Sequence, residues 1–293
     1  MHKYLRAVGF SNIKSQKEVK ELIERVVEKS TESWFGLHED ETIYGDYRLK
    51  VNETMGIAAC GEYDNEDNFN VEFYYPYMVT NVVSSKEHSL IERHAATTSY
   101  AGVCEDNRIG ITIIYYLINR VEYFMSNKKV SEASTGKNMP VCLSGLSIDG
   151  TIMMPLDKSA LIEKKQSHNV KKRDKLIEAA RKGSEEAIES LTLDDLDVYS
   201  NIAKRLHDSD VYSIVDTSFM PYGVECDEYS ILGEIKTVRL VKNEMTGEEI
   251  YEMKIVCNRL EMTICINKND LYGEPLPGRR FKGTIWLQGN LVT

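Results

Sequence analysis

The sequence lacks closely spaced cysteine pairs. Its six cysteines stand at positions 60, 104, 142, 226, 257 and 265, so no C-x-x-C pair exists. That spacing disfavours a zinc ribbon and a thioredoxin-type site. Most of the cysteines stand in alternating apolar segments, where a thiol behaves as a small hydrophobic core residue. We therefore expect reduced thiols, no bound metal and no other cofactor.

The chain also lacks a long apolar run, and its first residues do not have the pattern of a secretory leader. Its longest apolar stretch, residues 109–118, is about half of the ~20 residues that a membrane helix needs. The amino-terminal segment has no apolar region followed by a small-residue cleavage site. These absences predict a cytoplasmic protein without a membrane span.

Positive charge is scarce relative to negative charge. The chain carries 36 Lys and Arg residues against 46 Asp and Glu residues, which gives a net charge of −10. Proteins that bind duplex DNA through its phosphates usually present a basic face, so duplex binding is disfavoured as the global role. Local basic segments are still compatible with this balance.

Sequence signatures of common enzymes are missing as well. No G-x-G-x-x-G, H-E-x-x-H or G-x-S-x-G motif occurs, and Gly136-Lys137 lacks the first glycine of a phosphate-binding loop. His88 and His94 would lie about 20 Å apart along a strand, too far to share a metal ion. Cys226 lies between two acidic residues, which raise the pKa of a thiol instead of activating it. The sequence therefore favours a protein that is not an enzyme.

Residues 1–157 are predicted to form an α+β domain with one leading helix. Ser15 and Glu18 have the spacing of a capping box, and apolar residues follow at helical spacing, which predicts a helix over residues 16–29. Asp149-Gly150 is the strongest hairpin signal in the chain and predicts a turn between strands at 141–148 and 151–156. Short β-favouring segments predict an antiparallel sheet; they are residues 46–51, 55–60, 69–75, 92–104 and 109–117.

Two further regions follow this domain. From residue 158 the sequence is rich in Lys, Glu and Ala, which predicts a helical connector over residues 158–229. Residues 230–293 return to short β-favouring segments with tight turns at 245–247 and 258–259. So many short strands bury both faces only if they close on themselves. Residues 230–293 are therefore predicted to form a small β-barrel domain, OB-like or SH3-like.

Three long stretches of the sequence resemble a known family. They are residues 1–10, residues 220–227 and residues 278–289, so the resemblance covers the whole chain. The family is an uncharacterised one, a domain of unknown function in cytoplasmic proteins from clostridia-like anaerobic bacteria. The resemblance implies a bacterial cytoplasmic protein, and it assigns no activity and no functional residue.

The last predicted strand carries a candidate ligand-binding face. Alternation places Arg280, Lys282 and Trp286 on one face of this strand, and Phe281 and Ile285 on the other. OB-type barrels bind single-stranded nucleic acid on faces that combine cationic and aromatic side chains. The alternative is that Trp286 belongs to the core and that the arginines pair with nearby acidic residues.

A second candidate is the most electropositive stretch of the chain. Residues 164–173 carry five formal positive charges and no acidic residue, and the run ends in Lys171, Lys172 and Arg173. Such a run can bind a phosphate-rich partner through counterion release. The alternative is an exposed entrance to a helix.

These features favour a non-enzymatic binding or adaptor protein that contacts a protein partner or a second copy of itself. One alternative is a nucleic-acid-associated factor that binds through the barrel and the basic connector segment. Another is an enzyme with a site between domains, where small molecules often bind. An exposed Trp286 in a positive patch would favour nucleic acid, and a deep pocket with titratable groups would favour an enzyme.

Overall fold

The secondary structure follows the apolar periodicity of the sequence over most of its length. Within the residues that the computed structural model describes, the chain is mostly β structure with few helices, and it contains both an antiparallel sheet and a closed five-stranded barrel. The described residues are 2–37, 42–86, 89–93, 100–106, 111–121, 140–155, 175–176, 179–180, 183–191 and 215–292.

The helical elements include a 3₁₀ helix at Lys3–Val8, the helix α1 at Gln16–Glu28 and a 3₁₀ turn at Lys268–Asp270. The strands in chain order are β1 (Glu32–Leu37), β2 (Ile43–Lys50), β3 (Met55–Tyr63), β4 (Phe69–Met78), β5 (Ser89–Arg93), β6 (Tyr100–Glu105), β7 (Thr112–Leu117), β8 (Val141–Met153), β9 (Ser218–Pro221), β10 (Glu228–Lys242), β11 (Glu249–Cys257), β12 (Leu260–Asn267), β13 (Leu271–Tyr272) and β14 (Arg280–Leu291).

The helix α1 forms where the sequence predicts it. The backbone N–H of Glu18 donates to Ser15 Oγ at 3.2 Å, and the Glu18 carboxylate accepts from the Ser15 N–H at 2.8 Å, which completes the capping box. Val19, Leu22 and Val26 are buried on one face of the helix. This face packs the helix against β2 and β3.

The first sheet is a four-stranded antiparallel meander in the order β1-β2-β3-β4. The segments predicted at 46–51, 55–60 and 69–75 overlap β2, β3 and β4; the first ends one residue beyond β2, and the other two begin at the first residues of β3 and β4. The single strand predicted at 92–104 is instead two strands, β5 and β6, which pair with each other. Neither β1 nor the 3₁₀ helix at Lys3–Val8 was predicted.

The barrel closes through five strands. β10, β11 and β12 form an antiparallel meander, and β12 then pairs in parallel with β8. β8 pairs antiparallel with β14, and β14 pairs antiparallel with β10, which closes the ring. β7 pairs in parallel with the end of β14. β6 then pairs antiparallel with β7, and β5 pairs antiparallel with β6.

The sequence predicted a barrel formed by residues 230–293 alone. The structure differs, because one of the five barrel strands comes from outside this range. The strand between β12 and β14 is β8, which comes from the segment predicted to belong to the first domain. It has 13 residues and pairs with twelve positions of β14, so it is long enough to satisfy the open edges of both neighbours. The pairing partner of an edge is not encoded in the local pattern of either strand.

The predicted hairpin at Asp149-Gly150 is wrong, because β8 continues through both residues as a single strand. Gly150 faces the barrel interior, where a Cβ atom would lie 2.5 Å from Phe281 Cε2 and 3.0 Å from Ile266 Cδ1. The glycine therefore provides the space that the Phe281 ring occupies, and it does not reverse the chain.

Most of the predicted connector at 158–229 lies outside the described residues. Within it, residues 185–191 are helical, and β9 and the start of β10 already belong to the large sheet. The two predicted turns further on form as expected. Gly247 has a φ of 74°, and Asn258 and Arg259 have φ values of 47° and 66°, which is the conformation of a tight hairpin turn.

Two apolar cores stabilise these elements. The barrel interior holds Phe281, Ile285 and Leu287 of β14 together with apolar residues of the other barrel strands. The second core lies between the four-stranded sheet, α1, the 3₁₀ helix at Lys3–Val8 and the outside of the barrel, and it includes Trp286 and Cys265. The outside of the barrel is therefore partly covered by the amino-terminal region.

The role assigned to Gly150 predicts a stability effect. Gly150→Ala should lower the free energy of unfolding by about 1–3 kcal/mol, since the added methyl group overpacks the ring of Phe281. Gly36→Ala in β1 is the matched control, because its Cβ atom would lie 3.8 Å from Val121 Cγ1, an ordinary contact. Urea unfolding of both variants measures the difference. Equal stabilities would show that the barrel interior has room at Gly150.

Candidate functional site

Trp286 lies in the core. Its side chain is 5% exposed, and its Nε1–H donates to Asp227 Oδ2 at 2.8 Å. Three rings surround it: Tyr4 is stacked at 5.6 Å between centroids, His2 lies at 4.7 Å and Tyr116 at 5.1 Å. The indole therefore offers no open face for a nucleic-acid base to stack on.

Arg280 is also buried, at 4% exposure; its guanidinium donates to two backbone carbonyls, and the charge of Asp216 also acts on it. Its Nε donates to the carbonyl of Met154 at 3.0 Å, and Nη1 donates to the carbonyl of Val215 at 2.7 Å. Burial lowers the pKa of Arg280. Lys282 is half-buried on the same face of β14. The predicted alternation is correct, but the face that it defines is mostly covered.

The second candidate was the basic run at residues 164–173. Lys171, Lys172 and Arg173 lie outside the described residues. Of the predicted site residues, only those on β14 can be located.

A pocket of about 300 Å³ opens beside Trp286. It combines aromatic, acidic and basic side chains; they are His2, Lys3, Tyr4, Glu225, Asp227, Glu228 and Trp286. The Lys3 ammonium lies 2.5 Å from Glu228 Oε1, and the Tyr4 hydroxyl donates to the same oxygen at 3.1 Å. We call this cavity the Trp286 pocket.

Burial shifts the titratable groups of the Trp286 pocket. It lowers the pKa of His2 to about 4, with the positive charge of Lys3 acting in the same direction, so His2 is neutral at pH 7. Burial and the charge of Glu228 raise the pKa of Tyr4 well above its usual value. The backbone N–H of His2 donates to the Tyr74 hydroxyl at 3.0 Å. Nδ1 of His2 is buried and has no hydrogen-bond partner among the described residues.

A second surface feature lies on the four-stranded sheet. The register places six aromatic and aliphatic residues on one face of β1 to β4. We call them the sheet patch; they are Phe35, Ile43, Tyr47, Tyr63, Phe69 and Val71. Phe35, Ile43 and Val71 are 44%, 45% and 38% exposed, and the three remaining rings are partly exposed.

The rings of the sheet patch hold one another in place. Phe35 meets Tyr47 edge to face at 5.8 Å, and Phe69 lies 4.8 Å from Tyr47 and 5.3 Å from Tyr63. The Tyr47 and Tyr63 hydroxyls are hydrogen-bonded, and burial together with this bond raises the pKa of Tyr47 to about 12. Gly45 lies beneath these rings, which leaves them space to lie across the sheet. The patch is therefore a fixed surface.

Carboxylates stand next to the sheet patch. The turn that joins Tyr63 to Phe69 carries Asp64, Glu66 and Asp67, and all three are exposed. Asp64 accepts hydrogen bonds from the backbone of Glu66 and Asn68, which lowers the pKa of its carboxyl group. The turn is therefore negatively charged at pH 7.

The cysteines are poor candidates for chemistry. Five of the six are buried, and Cys226 alone is exposed. Burial, with the neighbouring Asp227 and Glu225 adding to it, raises the pKa of Cys226, as its sequence context predicted. Within the described part of the chain, no three His, Cys, Asp or Glu side chains are grouped closely enough to hold a metal ion.

The fold and the two surface features define a mostly β protein with a closed barrel, an acidic aromatic pocket and an apolar sheet patch. The chain matches the model of the family described as "Domain of unknown function, E. rectale Gene description (DUF3881)" over residues 5–289. It belongs to that family, which the resemblance of its two ends had indicated. No curated protein and no solved structure matches the chain. No helix in the described ranges is long and apolar enough to cross a membrane.

The position of Trp286 predicts a loss of stability on truncation. Trp286→Ala should lower the free energy of unfolding by about 3–5 kcal/mol, because it removes a large buried ring. Trp286→Phe keeps a ring and loses the bond to Asp227, so we expect a smaller loss, about 1–3 kcal/mol.

Tyr272→Ala is the control for this series, because Tyr272 is 80% exposed and should change stability by less than about 0.5 kcal/mol. Chemical denaturation of the three variants compares them. An unchanged midpoint for Trp286→Ala would contradict the core position of this residue.

Proposed function

We propose that this protein is a non-enzymatic cytoplasmic binding protein that acts through protein–protein contacts, with the sheet patch as its contact surface. The observation that carries the proposal is the grouping of six aromatic and aliphatic side chains on one face of the sheet, three of them more than a third exposed. Contiguous apolar surface of this kind usually marks a place where another protein binds. Aromatic side chains are the residues that contribute most to such contacts.

The charges beside the sheet patch indicate the chemistry of the partner. The patch itself carries no formal charge at pH 7, and Asp64, Glu66 and Asp67 stand at its edge. A partner segment with apolar side chains and flanking Lys or Arg residues matches both features. A second copy matches them less well, since each copy would bring the same three carboxylates and a net charge of −10.

The nucleic-acid alternative is less well supported, because it depends on the face of β14 that carries Arg280 and Trp286. It requires an accessible aromatic platform beside cationic side chains. Trp286 and Arg280 are both buried, and Asp227 and Glu228 lie beside the indole in the Trp286 pocket. Carboxylates at this position repel phosphates.

We also propose that the barrel is of the OB type, with a different order of the strands along the chain: β8, which pairs in parallel with β12, comes before the meander. The three-stranded meander and the single parallel pairing of β12 with β8 support this assignment. The second and third strands of OB barrels present the oligonucleotide-binding face. The equivalent strands here are β11 and β12, and the 3₁₀ helix at Lys3–Val8 packs on β12 and β8. A nucleic-acid strand would have to displace that helix.

The enzyme alternative is also less well supported. The Trp286 pocket gathers titratable groups, but none of its described lining residues is a Ser, Thr or Cys, the nucleophiles that an adjacent general base activates. Glu228 is held by Lys3 and Tyr4. These groups suit binding better than proton transfer.

The proposed function can be tested without knowing the natural partner. Random 12-residue peptides displayed on phage are selected on the wild-type protein and then depleted on the Phe35→Ser variant. We expect the surviving peptides to combine apolar residues with Lys or Arg. As free peptides they should bind Phe35→Ser at least about ten-fold more weakly, as for a central aromatic contact.

Tyr272→Ser supplies the matched control, because Tyr272 is an exposed ring on the short strand β13 and lies outside the sheet patch. It should bind the selected peptides as the wild type does, and both variants should keep the wild-type melting temperature. The proposal is wrong if no peptide survives depletion, or if Phe35→Ser and Tyr272→Ser weaken binding equally.

A further inference from the structure

The geometry points to a second binding site, which is separate from the sheet patch and goes beyond the proposed function. We propose that the Trp286 pocket binds an organic cation, either an ammonium or a guanidinium group. The group could belong to a small free amine or to a Lys or Arg side chain of a polypeptide. The recognition chemistry is the same in both cases, and the experiment below separates them.

The charge of the pocket is the first argument. Three carboxylates, Glu225, Asp227 and Glu228, line it together with one ammonium group, that of Lys3, so the formal balance is 1 − 3 = −2. His2 contributes no positive charge at pH 7, since it is neutral there. Lys3 stays at the rim, with 54% of its side chain exposed, and it forms an ion pair with Glu228. A ligand with one positive charge reduces the remaining imbalance.

The wall of the pocket is the second argument. Tyr4 and Trp286 are stacked, and the His2 ring lies against the indole. Tyr4 is 2% exposed and Trp286 5% exposed, so both rings are held in place by the core. Asp227 is oriented by the hydrogen bond that it accepts from Trp286 Nε1. The site is therefore ordered before a ligand arrives, which lowers the entropic cost of binding.

An unsatisfied polar atom gives a third and independent argument. Nδ1 of His2 is buried, and no described residue forms a hydrogen bond with it. Buried nitrogen atoms without a partner are costly and therefore uncommon. His2 lines the pocket, and a rotation of its ring on ligand binding would bring this nitrogen to a ligand N–H group or to a water molecule that the ligand holds.

The same groups argue against other ligands. An anion would meet three carboxylates. A hard metal ion such as Ca²⁺ needs six to eight oxygen ligands, whereas oxygens of Glu228 and Asp227 already accept bonds from Lys3, Tyr4 and Trp286. A cation with several N–H donors can share such oxygens, because carboxylate oxygens have more than one acceptor position.

The two tryptophans of the chain, Trp34 and Trp286, make the test direct. In a Trp34→Phe background the emission of Trp286 reports on the pocket. N-ethylguanidine, which carries one positive charge, and a blocked Gly-Arg-Gly tripeptide are titrated separately, and the citrulline tripeptide, which has the same shape without the charge, is the control. We expect a saturable change with both guanidinium ligands, weakened by added salt, and none with the citrulline peptide.

Glu225→Gln tests the carboxylates. Glu225 is exposed, so the substitution should leave the fold intact and weaken guanidinium binding about two- to five-fold, the effect of one exposed charge. Glu53→Gln is the matched control, because Glu53 is equally exposed and does not line the pocket; it should bind as the parent does. Tighter binding of N-ethylguanidine would identify a small free cation as the ligand, and tighter binding of the peptide a protein side chain.

Several results would overturn the proposal: no saturable response below about 10 mM, an equal response to the citrulline peptide, or equal affinities for Glu225→Gln and Glu53→Gln. A ligand-induced rise in melting temperature of the protein with both tryptophans gives a second readout, which is independent of the Trp34→Phe substitution. Phe35→Ser should not affect this binding, so failure of this site and failure of the sheet patch are distinguishable.

Discussion

The side-chain amide of Gln288 joins the barrel to the four-stranded sheet. β4 is the last strand of that sheet, and the end of the strand, residues 75–78, is buried against the barrel. Gln288 on β14 donates from Nε2 to the Pro76 carbonyl at 2.8 Å, and its Oε1 accepts from the Met78 N–H at 3.0 Å. Ser144 donates to the Met78 carbonyl at 2.7 Å. These side chains replace the neighbouring strand that the edge lacks, so no backbone group is buried without a partner at these positions.

β14, which carries Gln288, contacts both apolar cores of the molecule. Leu287 points into the barrel, whereas Trp286 and Gln288 point out of it toward the 3₁₀ helix at Lys3–Val8 and the sheet. Alternation along three consecutive residues therefore determines both cores at once. The Trp286 pocket exists because the amino-terminal segment is laid across the outside of the barrel at this strand.

The buried guanidinium of Arg48 on β2 connects the four-stranded sheet to the segment after β7. Arg48 is bonded to both oxygens of Asp46, at 3.1 and 2.9 Å, and also to the carbonyl of Ile118. Burial disfavours the charged guanidinium, but Asp46 outweighs it, and the pKa of Arg48 is raised. Such buried ion pairs contribute little net stability and are costly to break, and the bond from Arg48 to the Ile118 carbonyl adds a contact with the segment after β7.

The elements with a local cause could be predicted from the sequence. The helix α1 begins at its capping box, and the turns at Gly247 and Asn258-Arg259 form at the residues where the sequence predicts them. The places where prediction failed depend on distant residues. Gly150 is a glycine because of Phe281, which is 131 positions away, and the position of β8 in the barrel depends on the edges of β12 and β14. Neither dependence leaves a periodic signal.

The candidate sites divide in the same way. Alternation correctly placed Arg280 and Trp286 on one face, but whether that face is exposed depended on the amino-terminal segment, which had no predicted structure. The sheet patch could have been suspected from Tyr63 and Phe69, two aromatic residues at either end of an acidic turn. Both surfaces place carboxylates beside aromatic rings in a chain of net charge −10. Long-range attraction then favours basic partners at both before any contact forms, and apolar and hydrogen-bonding contacts decide which of them stays bound.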